Sequence, residues 1–236
     1  MIFSAGLGTR LQPWTDSHPK ALAEVNGKSL LQRNVLYLRE AGIHDVIINV
    51  HHFPTQIMDS VNASDGWGSR ITISDETGGL LETGGGLKKA AWYFSGEQDF
   101  VLMNVDILTD LNLRAMIAQH RQNTPLATLA VTQRTTSRYF LFDEHQRLRG
   151  WENTTTGETR PAGADRDSLS ARAFSGIHVI STGLFPLLLR EGKFSMVDVY
   201  LDLCAAHTIQ SFDHSGSKFI DVGKPASIEA AGKLFG

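Results

Sequence analysis

The sequence predicts an α/β fold of the Rossmann-like, doubly wound kind: a mostly parallel sheet with helices on both faces and a small β-rich subregion. Short apolar segments alternate with helical patterns through residues 1–132, which is typical of the crossover units that build parallel sheets. Two glycine-rich turns, one after the first apolar segment and one before a helix, add loops of the kind that bind ligands at strand ends.

The elements of residues 1–132 follow from local patterns. Ser29 can cap a helix that ends at Gly42. The segment 45–50 is apolar nearly throughout, as in a strand that is buried on both faces. The predicted strands are 1–3, 45–50, 69–74, 99–105 and 126–132, and helices are predicted at 30–41, at 54–62, after the second glycine-rich turn up to 91, and at 111–123.

Residues 133–236 have a different pattern. Two short strands are predicted at 139–142 and 148–151, followed by a polar loop from 153 to 170 over the mouth of a site. Further strands are predicted at 174–180, 209–213 and 218–222, and helices at 184–189, at 197–206 and from Pro225 onward. No linker divides the chain, so we predict a single domain over 1–236, with halves 1–132 and 133–236.

Composition restricts the function. The formal net charge of −3 and the isoelectric point near 6.3 argue against nucleic-acid binding, because no basic stripe is available to neutralise phosphates along a duplex. No apolar run approaches the ~20 residues that a membrane span needs. The single cysteine, Cys204, excludes an internal disulfide and is expected to pack in the core. These features predict a cytoplasmic protein. The oligomeric state is left open between a monomer and a small homo-oligomer.

The loop after the first strand has the composition of a polyphosphate site. Gly6 and Gly8 leave backbone N–H groups open to a phosphate, and they permit a positive φ. Arg10 and Lys20 add positive charge. The Walker pattern Gly-x-x-x-x-Gly-Lys-Ser/Thr is absent, and Leu11 replaces the third glycine of the dinucleotide pattern. A bare Gly-x-Gly is also compatible with a simple turn.

Two aspartates follow apolar strands. Asp106 ends the segment 99–105, and Asp221 follows Phe219 and Ile220. Mg²⁺ needs one or two carboxylates together with phosphate oxygens and water, and strand ends are where α/β sheets bind ligands. The alternative is that Asp106 caps a turn and Asp221 is a solvated residue in a bend.

The second glycine-rich turn contains Thr83, Gly84, Gly85 and Gly86. Its backbone groups can approach a nucleobase closely, and the following helix would direct a favourable dipole toward phosphate. The alternative is that the glycines only allow tight packing at the start of the helix.

Residues 6–20 resemble the signature of the sugar-1-phosphate nucleotidyltransferases, Gly-x-Gly-Thr-Arg-Leu-x-Pro-x-Thr-x-x-x-Pro-Lys, and match it without a gap. The resemblance covers nearly the whole chain, and it implies Mg²⁺-dependent transfer from a nucleoside triphosphate to a sugar 1-phosphate. It makes 1–132 the nucleotide-binding half and 133–236 the sugar-binding half. The implied residues are catalytic Arg10, Lys20 and Asp106; nucleotide-binding Gly6, Leu7, Gly8, Thr9, Arg10, Lys20, Thr83 and Gly84; sugar-binding Asn104, Glu152 and Gly176; and metal-binding Asp106 and Asp221.

The segment Leu-Glu-Thr-Gly-Gly-Gly at 81–86 resembles the N-acetylmuramate-1-phosphate uridylyltransferase branch, which implies UTP as the nucleotide. Mannose-1-phosphate or heptose-1-phosphate guanylyltransferases, and a non-catalytic nucleotide-sugar sensor, are the alternatives. The chain departs from other branches at 151–153, Trp-Glu-Asn, where those branches carry Glu-Lys and the lysine meets the sugar phosphate. Either Glu152 still contacts the sugar and Arg172 or Arg138 takes the phosphate in place of this lysine, or the sugar lies differently.

Overall fold

The computed structural model describes residues 1–161 and 168–236. Its α-helices are α1 (Leu30–Glu40), α2 (Pro54–Ala63), α3 (Glu82–Lys89), α4 (Leu113–Asn123), α5 (Met196–Leu203) and α6 (Pro225–Leu234). Its strands are β1 (Ile2–Phe3), β2 (Glu24–Val25), β3 (Lys28–Ser29), β4 (Asp45–Val50), β5 (Arg70–Asp75), β6 (Asp99–Asn104), β7 (Ile107–Thr109), β8 (Ala127–Thr132), β9 (Arg138–Phe142), β10 (Leu148–Asn153), β11 (Glu158–Arg160), β12 (Ser170–Ser181), β13 (Ile209–Asp213) and β14 (Phe219–Asp221).

The main sheet has the order β11-β10-β9-β12-β6-β1-β4-β5, and β8 pairs with both β12 and β13. Strands β6, β1, β4 and β5 are mutually parallel. Strand β12 is antiparallel to β6, β8 and β9, and β9, β10 and β11 continue antiparallel. The α/β class is therefore confirmed, with a mixed sheet that is parallel in the first half of the chain.

Helices cover both faces of this sheet. Successive residues of a strand point to opposite faces. Ile2 belongs to a buried apolar cluster that includes residues of α1, α2, α4 and α6, and its neighbour Phe3 belongs to a second cluster that includes residues of α3 and α5. The burial of apolar side chains in both layers stabilises the fold. None of the helices in the described ranges is both long and apolar enough to cross a bilayer.

Two predicted elements in the second half were wrong. The predicted loop 153–170 contains β11, which pairs with β10 and extends that strand to Asn153; residues 162–167 lie outside the described ranges. Strand β11 has the sequence Glu-Thr-Arg, so it lacks the apolar alternation that identifies a half-buried strand. The predicted helix at 184–189 is a 3-10 helix over Thr182–Leu187, and Pro186 inside it has no N–H for an α-helical bond.

A buried polar pair links β12 to α5. His178 Nδ1 and Tyr200 Oη are 2.6 Å apart, and both residues are at most 2% exposed. Burial lowers the pKa of His178 to about 3 and raises that of Tyr200, so the pair is neutral at pH 7. The bond therefore satisfies two polar groups that water cannot reach.

We expect Tyr200→Phe to lower the free energy of unfolding by about 1–3 kcal/mol, because it leaves the buried His178 nitrogen without this partner. Urea unfolding measures the change. The double variant His178→Leu/Tyr200→Phe removes both polar groups and should recover part of the loss. Equal stability of Tyr200→Phe and the wild type would contradict this assignment.

Candidate active site

A cavity of about 350 Å³ opens at the carboxyl ends of β1, β4 and β6. This is the edge at which open α/β sheets bind ligands. The sequence-predicted residues in its lining are Gly6, Lys20, Thr83, Asn104 and Asp106; Phe3, Ser4, Ala5, Asn49, Glu76, Leu80, Glu82, Val105 and Ser195 complete the lining.

The loop after β1 folds back on itself at Gly8. This glycine has a φ of +64°, and a Cβ there would lie 2.9 Å from the Cβ of Lys20 and 2.9 Å from Thr15 Cγ2. Thr15 Oγ1 also donates a hydrogen bond to Gly8 O at 3.0 Å. Glycine is required at position 8 because the chain turns there and because Lys20 returns against its backbone. Leu7, Thr9 and Arg10 are exposed on the same loop, outside the cavity lining.

Lys20 reaches from this loop to the end of β6. Its ammonium donates a hydrogen bond to Asp106 Oδ2, and the two side chains are only 11% and 17% exposed. Asp106 itself lies in the turn between β6 and β7. A lysine and an aspartate that are far apart in sequence are thus held together at the cavity.

Strand pairing brings the second aspartate to Asp106. Asp221 of β14 lies opposite Ile107 of β7, and Val222 N donates to Asp106 O at 2.8 Å. Asp221 is exposed as a residue. The pKa of its carboxyl is nevertheless raised, first by desolvation and then by the negative charge of Asp106, while Lys20, Arg10 and Arg134 oppose the rise. The two carboxylates therefore repel each other, and a divalent cation would relieve this repulsion.

Arg10 approaches the same pair from the first loop. A Cβ on Gly223 would lie 2.7 Å from Arg10 Nη2 and 2.8 Å from Asp221 Oδ1. The absence of a side chain at Gly223 therefore lets the guanidinium and the carboxylate converge. The structure thus brings Arg10, Lys20, Asp106 and Asp221 close to one another.

The second glycine-rich turn packs closely against other parts of the protein, which leaves little room for a nucleobase beside its glycines. Gly84 N donates to Phe194 O at 2.9 Å, and a Cβ on Gly84 would lie 2.4 Å from the Phe194 ring. A Cβ on Gly85 would lie 2.2 Å from Gly192 O. The N–H of Gly84 is therefore used within the protein, and the packing alternative accounts for these two glycines. Thr83 lines the cavity, with its Oγ1 accepting from Met196 N at 2.9 Å.

Of the predicted sugar-binding residues, Asn104 lines the cavity, whereas Gly176 and Glu152 lie outside its lining. Gly176 has a φ of +71°, and a Cβ there would lie 2.8 Å from the Asn104 amide nitrogen, so a side chain at position 176 would displace the Asn104 amide. Glu152 is buried in β10 and is outside the cavity lining. Arg172, one candidate for the missing cation, has its Nε 3.8 Å from Asp213 Oδ2.

Sequence reasoning missed Asn49 and Glu76. Asn49 Oδ1 accepts from Ser4 N at 2.8 Å, and its Nδ2 donates to Glu76 Oε1 at 2.8 Å. Glu76 is fully buried, and burial raises the pKa of its carboxyl. A Cβ on Gly86 would lie 2.6 Å from Glu76 Oε1. Glu76 follows β5 directly, so the rule that selected Asp106 at a strand end would also have found Glu76.

Comparison with known proteins gives a family match over nearly the whole chain. Residues 1–234 match the family model described as nucleotidyl transferase. An N-acetylmuramate alpha-1-phosphate uridylyltransferase from Neisseria meningitidis serogroup B is 38% identical over 115 residues, which is 49% of this chain and 49% of the relative. A mannose-1-phosphate guanyltransferase from Yarrowia lipolytica is 26% identical over 228 residues, which is 95% of this chain and 60% of the relative. The matches thus span about half of the first relative's length and 60% of the second's.

A solved structure shares the fold. HddC from Yersinia pseudotuberculosis complexed with GMP-PN aligns with a TM-score of 0.77 at 22% identity, over 100% of this chain and 98% of that chain. This alignment covers both the parallel and the antiparallel parts of the sheet.

Proposed function

The chain belongs to the nucleotidyl transferase family, and from that premise we propose that it transfers a nucleotidyl group from a nucleoside triphosphate to a sugar 1-phosphate. The observation that carries the proposal is the proximity of Arg10, Lys20, Asp106 and Asp221; Lys20 and Asp106 line the strand-end cavity, and Arg10 and Asp221 lie outside its lining. Two cations and two carboxylates beside a glycine-lined loop suit a reaction between two phosphate anions.

In the proposed reaction a phosphate oxygen of the sugar 1-phosphate attacks the α-phosphorus of the triphosphate. The bond from the α-phosphorus to the bridging oxygen breaks, and the electron pair leaves with pyrophosphate. No protein group becomes covalently attached, so the protein acts by aligning the two anions and by stabilising charge in the transition state.

The residues fit a Mg²⁺ ion as cofactor. Within the described ranges no group of three or more His, Cys, Asp or Glu side chains could hold a metal, so the protein would supply Asp106 and Asp221, with phosphate oxygens and water as the other ligands. When bound, the ion would polarise the α-phosphoryl group. Lys20 would contact the reacting phosphates from the side of Asp106, and Arg10 would hold the pyrophosphate as it departs.

We infer UTP and N-acetylmuramate 1-phosphate as the substrates, supported by the name and 38% identity of the Neisseria relative. The second candidate is GTP with mannose 1-phosphate or a heptose 1-phosphate, supported by the Yarrowia relative, whose match covers 95% of this chain. Thr83 and the fully buried Glu76 both line the cavity, and they are the side chains we assign to the base.

The test is a panel of the four ribonucleoside triphosphates against several sugar 1-phosphates with Mg²⁺, measured by pyrophosphate release. We expect the fastest release with UTP and N-acetylmuramate 1-phosphate. Faster release with GTP and mannose 1-phosphate would select the second candidate. No release with any pair, together with nucleotide-sugar binding by calorimetry, would overturn catalysis in favour of a sensor.

A further inference from the structure

The proposed reaction leaves the sugar phosphate without an assigned cation. Arg10 and Lys20 belong to the loop assigned to the triphosphate, and Lys20 is already paired with Asp106. Residues 151–153 contain no lysine or arginine. A second dianion that enters this site needs positive charge of its own, because two phosphate groups repel each other at bonding distance.

We propose that Arg134 binds the phosphoryl group of the sugar 1-phosphate, an inference that rests on the proposed function. Arg134 follows β8 after one residue and is exposed to solvent as a whole residue. Its Nη2 donates to Phe174 O at 2.7 Å, and its Cζ lies 5.0 Å from the centroid of the Phe219 ring. The guanidinium is thus held in a fixed position while part of the side chain stays accessible.

Phe219 and Phe174, the two residues that Arg134 contacts, belong to strands that also carry predicted site residues. Phe219 lies two residues before Asp221 in β14, so the two side chains share a face of that strand. Phe174 lies two residues before Gly176 in β12, and a Cβ on Gly176 would lie 2.8 Å from the Asn104 amide nitrogen. The guanidinium is therefore attached to two strands that each carry a predicted site residue, although Arg134 itself lies outside the cavity lining.

Electrostatics agree with this placement. Desolvation lowers the pKa of Arg134, and the negative charge of Asp221 partly opposes this lowering. In the described part of the chain no carboxylate lies within 4.0 Å of Arg134 to form an ion pair. An arginine carries five N–H donors in a planar fork. With one donor committed to Phe174 O, others are available for phosphate oxygens.

Three other arginines of residues 133–236 are weaker candidates for binding the sugar phosphate. Arg172 lies beside Asp213, and Arg160 Nη1 is paired with Asp198 Oδ1 at 2.7 Å. Arg138 begins β9 and is exposed. The positive charge of Arg134 lowers the pKa of Asp221, as do those of Lys20 and Arg10.

The test measures each Michaelis constant separately on the substrate pair that the panel identifies. We expect Arg134→Met to raise KM for the sugar 1-phosphate about ten- to hundredfold, the scale of one charge-assisted contact, with KM for the triphosphate changed less than about threefold. Arg134→Lys should recover part of the loss. The matched control is Arg114→Met on α4, where the guanidinium donates to Glu40 O and no change in either constant is expected.

A titration without nucleotide separates this inference from the proposed function. Calorimetry with N-acetylmuramate 1-phosphate, or with mannose 1-phosphate where the panel selects the second candidate, should show weaker binding to Arg134→Met than to the wild type. Equal binding by the two proteins, no binding to the wild type, or a KM effect seen with Arg138→Met in place of Arg134→Met would overturn the assignment. A wild type that binds the sugar phosphate through Arg134 but releases no pyrophosphate would overturn the proposed function alone.

Discussion

Replacing Asp106 by asparagine is expected to lower kcat by a factor of about 100 or more, with the fold intact. The substitution keeps the shape of the side chain but removes the charge that pairs with Lys20 and that faces Asp221. It would also remove one of the two carboxylates that can hold Mg²⁺. Pyrophosphate release at saturating substrates measures the loss, and thermal unfolding checks that the protein is folded.

The matched control for this variant is Asp45→Asn. Asp45 also pairs with an arginine, Arg70, but both side chains of that pair are more than half exposed, and an exposed ion pair contributes little to stability. Asp45→Asn should keep full turnover. A folded Asp106→Asn protein with near-normal turnover would refute the assignment of Asp106 to the metal and to the reacting phosphates.

The sequence could predict those parts of the site that depend on local chemistry. Gly8, Arg10 and Lys20 belong to one short loop, and its glycine and cation pattern is visible without a structure. Asp106 and Asp221 are far apart in the chain, but both follow apolar strands, and strand ends share an edge of the sheet. Their position along the strand pattern, the cationic glycine loop and the family resemblance together selected them.

Other parts of the site depend on distant packing and leave no local signal. Asn49 is an isolated polar residue within the apolar strand β4, and only its bonds to Ser4 and Glu76 give it a place in the cavity wall. Gly84 has the composition of a ligand-binding turn, but Phe194 occupies the space beside it. Arg134 lies in a polar stretch, and its position depends on the ring of Phe219.

The antiparallel half of the sheet was the least predictable part of the fold. Strand β12 is twelve residues long and pairs with β9 at one end and β6 at the other, whereas the apolar pattern identified only its second part. Its first residues, Ser170, Ala171 and Arg172, form ladder bonds with β9 that do not require an apolar sequence. Edge strands such as β11 are specified by pairing partners, and pairing is not visible in a local pattern.

Replacing Arg10 by alanine is expected to lower kcat/KM by a factor of about 100, because the departing pyrophosphate loses a fixed positive charge. Arg10 is exposed, and it approaches Asp221 through the space left by Gly223. Arg10→Lys keeps the charge but not the planar fork, so it should recover only part of the rate. Arg39→Ala is the matched control, since Arg39 is an exposed arginine that donates to Trp67 O on the surface.

The pH dependence of Arg10→Ala gives a readout that a merely structural role would not produce. The positive charge of Arg10 lowers the pKa of Asp221, whose net shift is upward. Removing Arg10 should therefore raise the pKa of Asp221 further. Because Asp221 must be ionised to hold a metal, the acid side of the rate profile should move to higher pH in Arg10→Ala and stay in place in Arg39→Ala. If the rate of Arg10→Ala fell by the same factor at every pH, with no shift of the acid side of the profile, Arg10 would not act on Asp221.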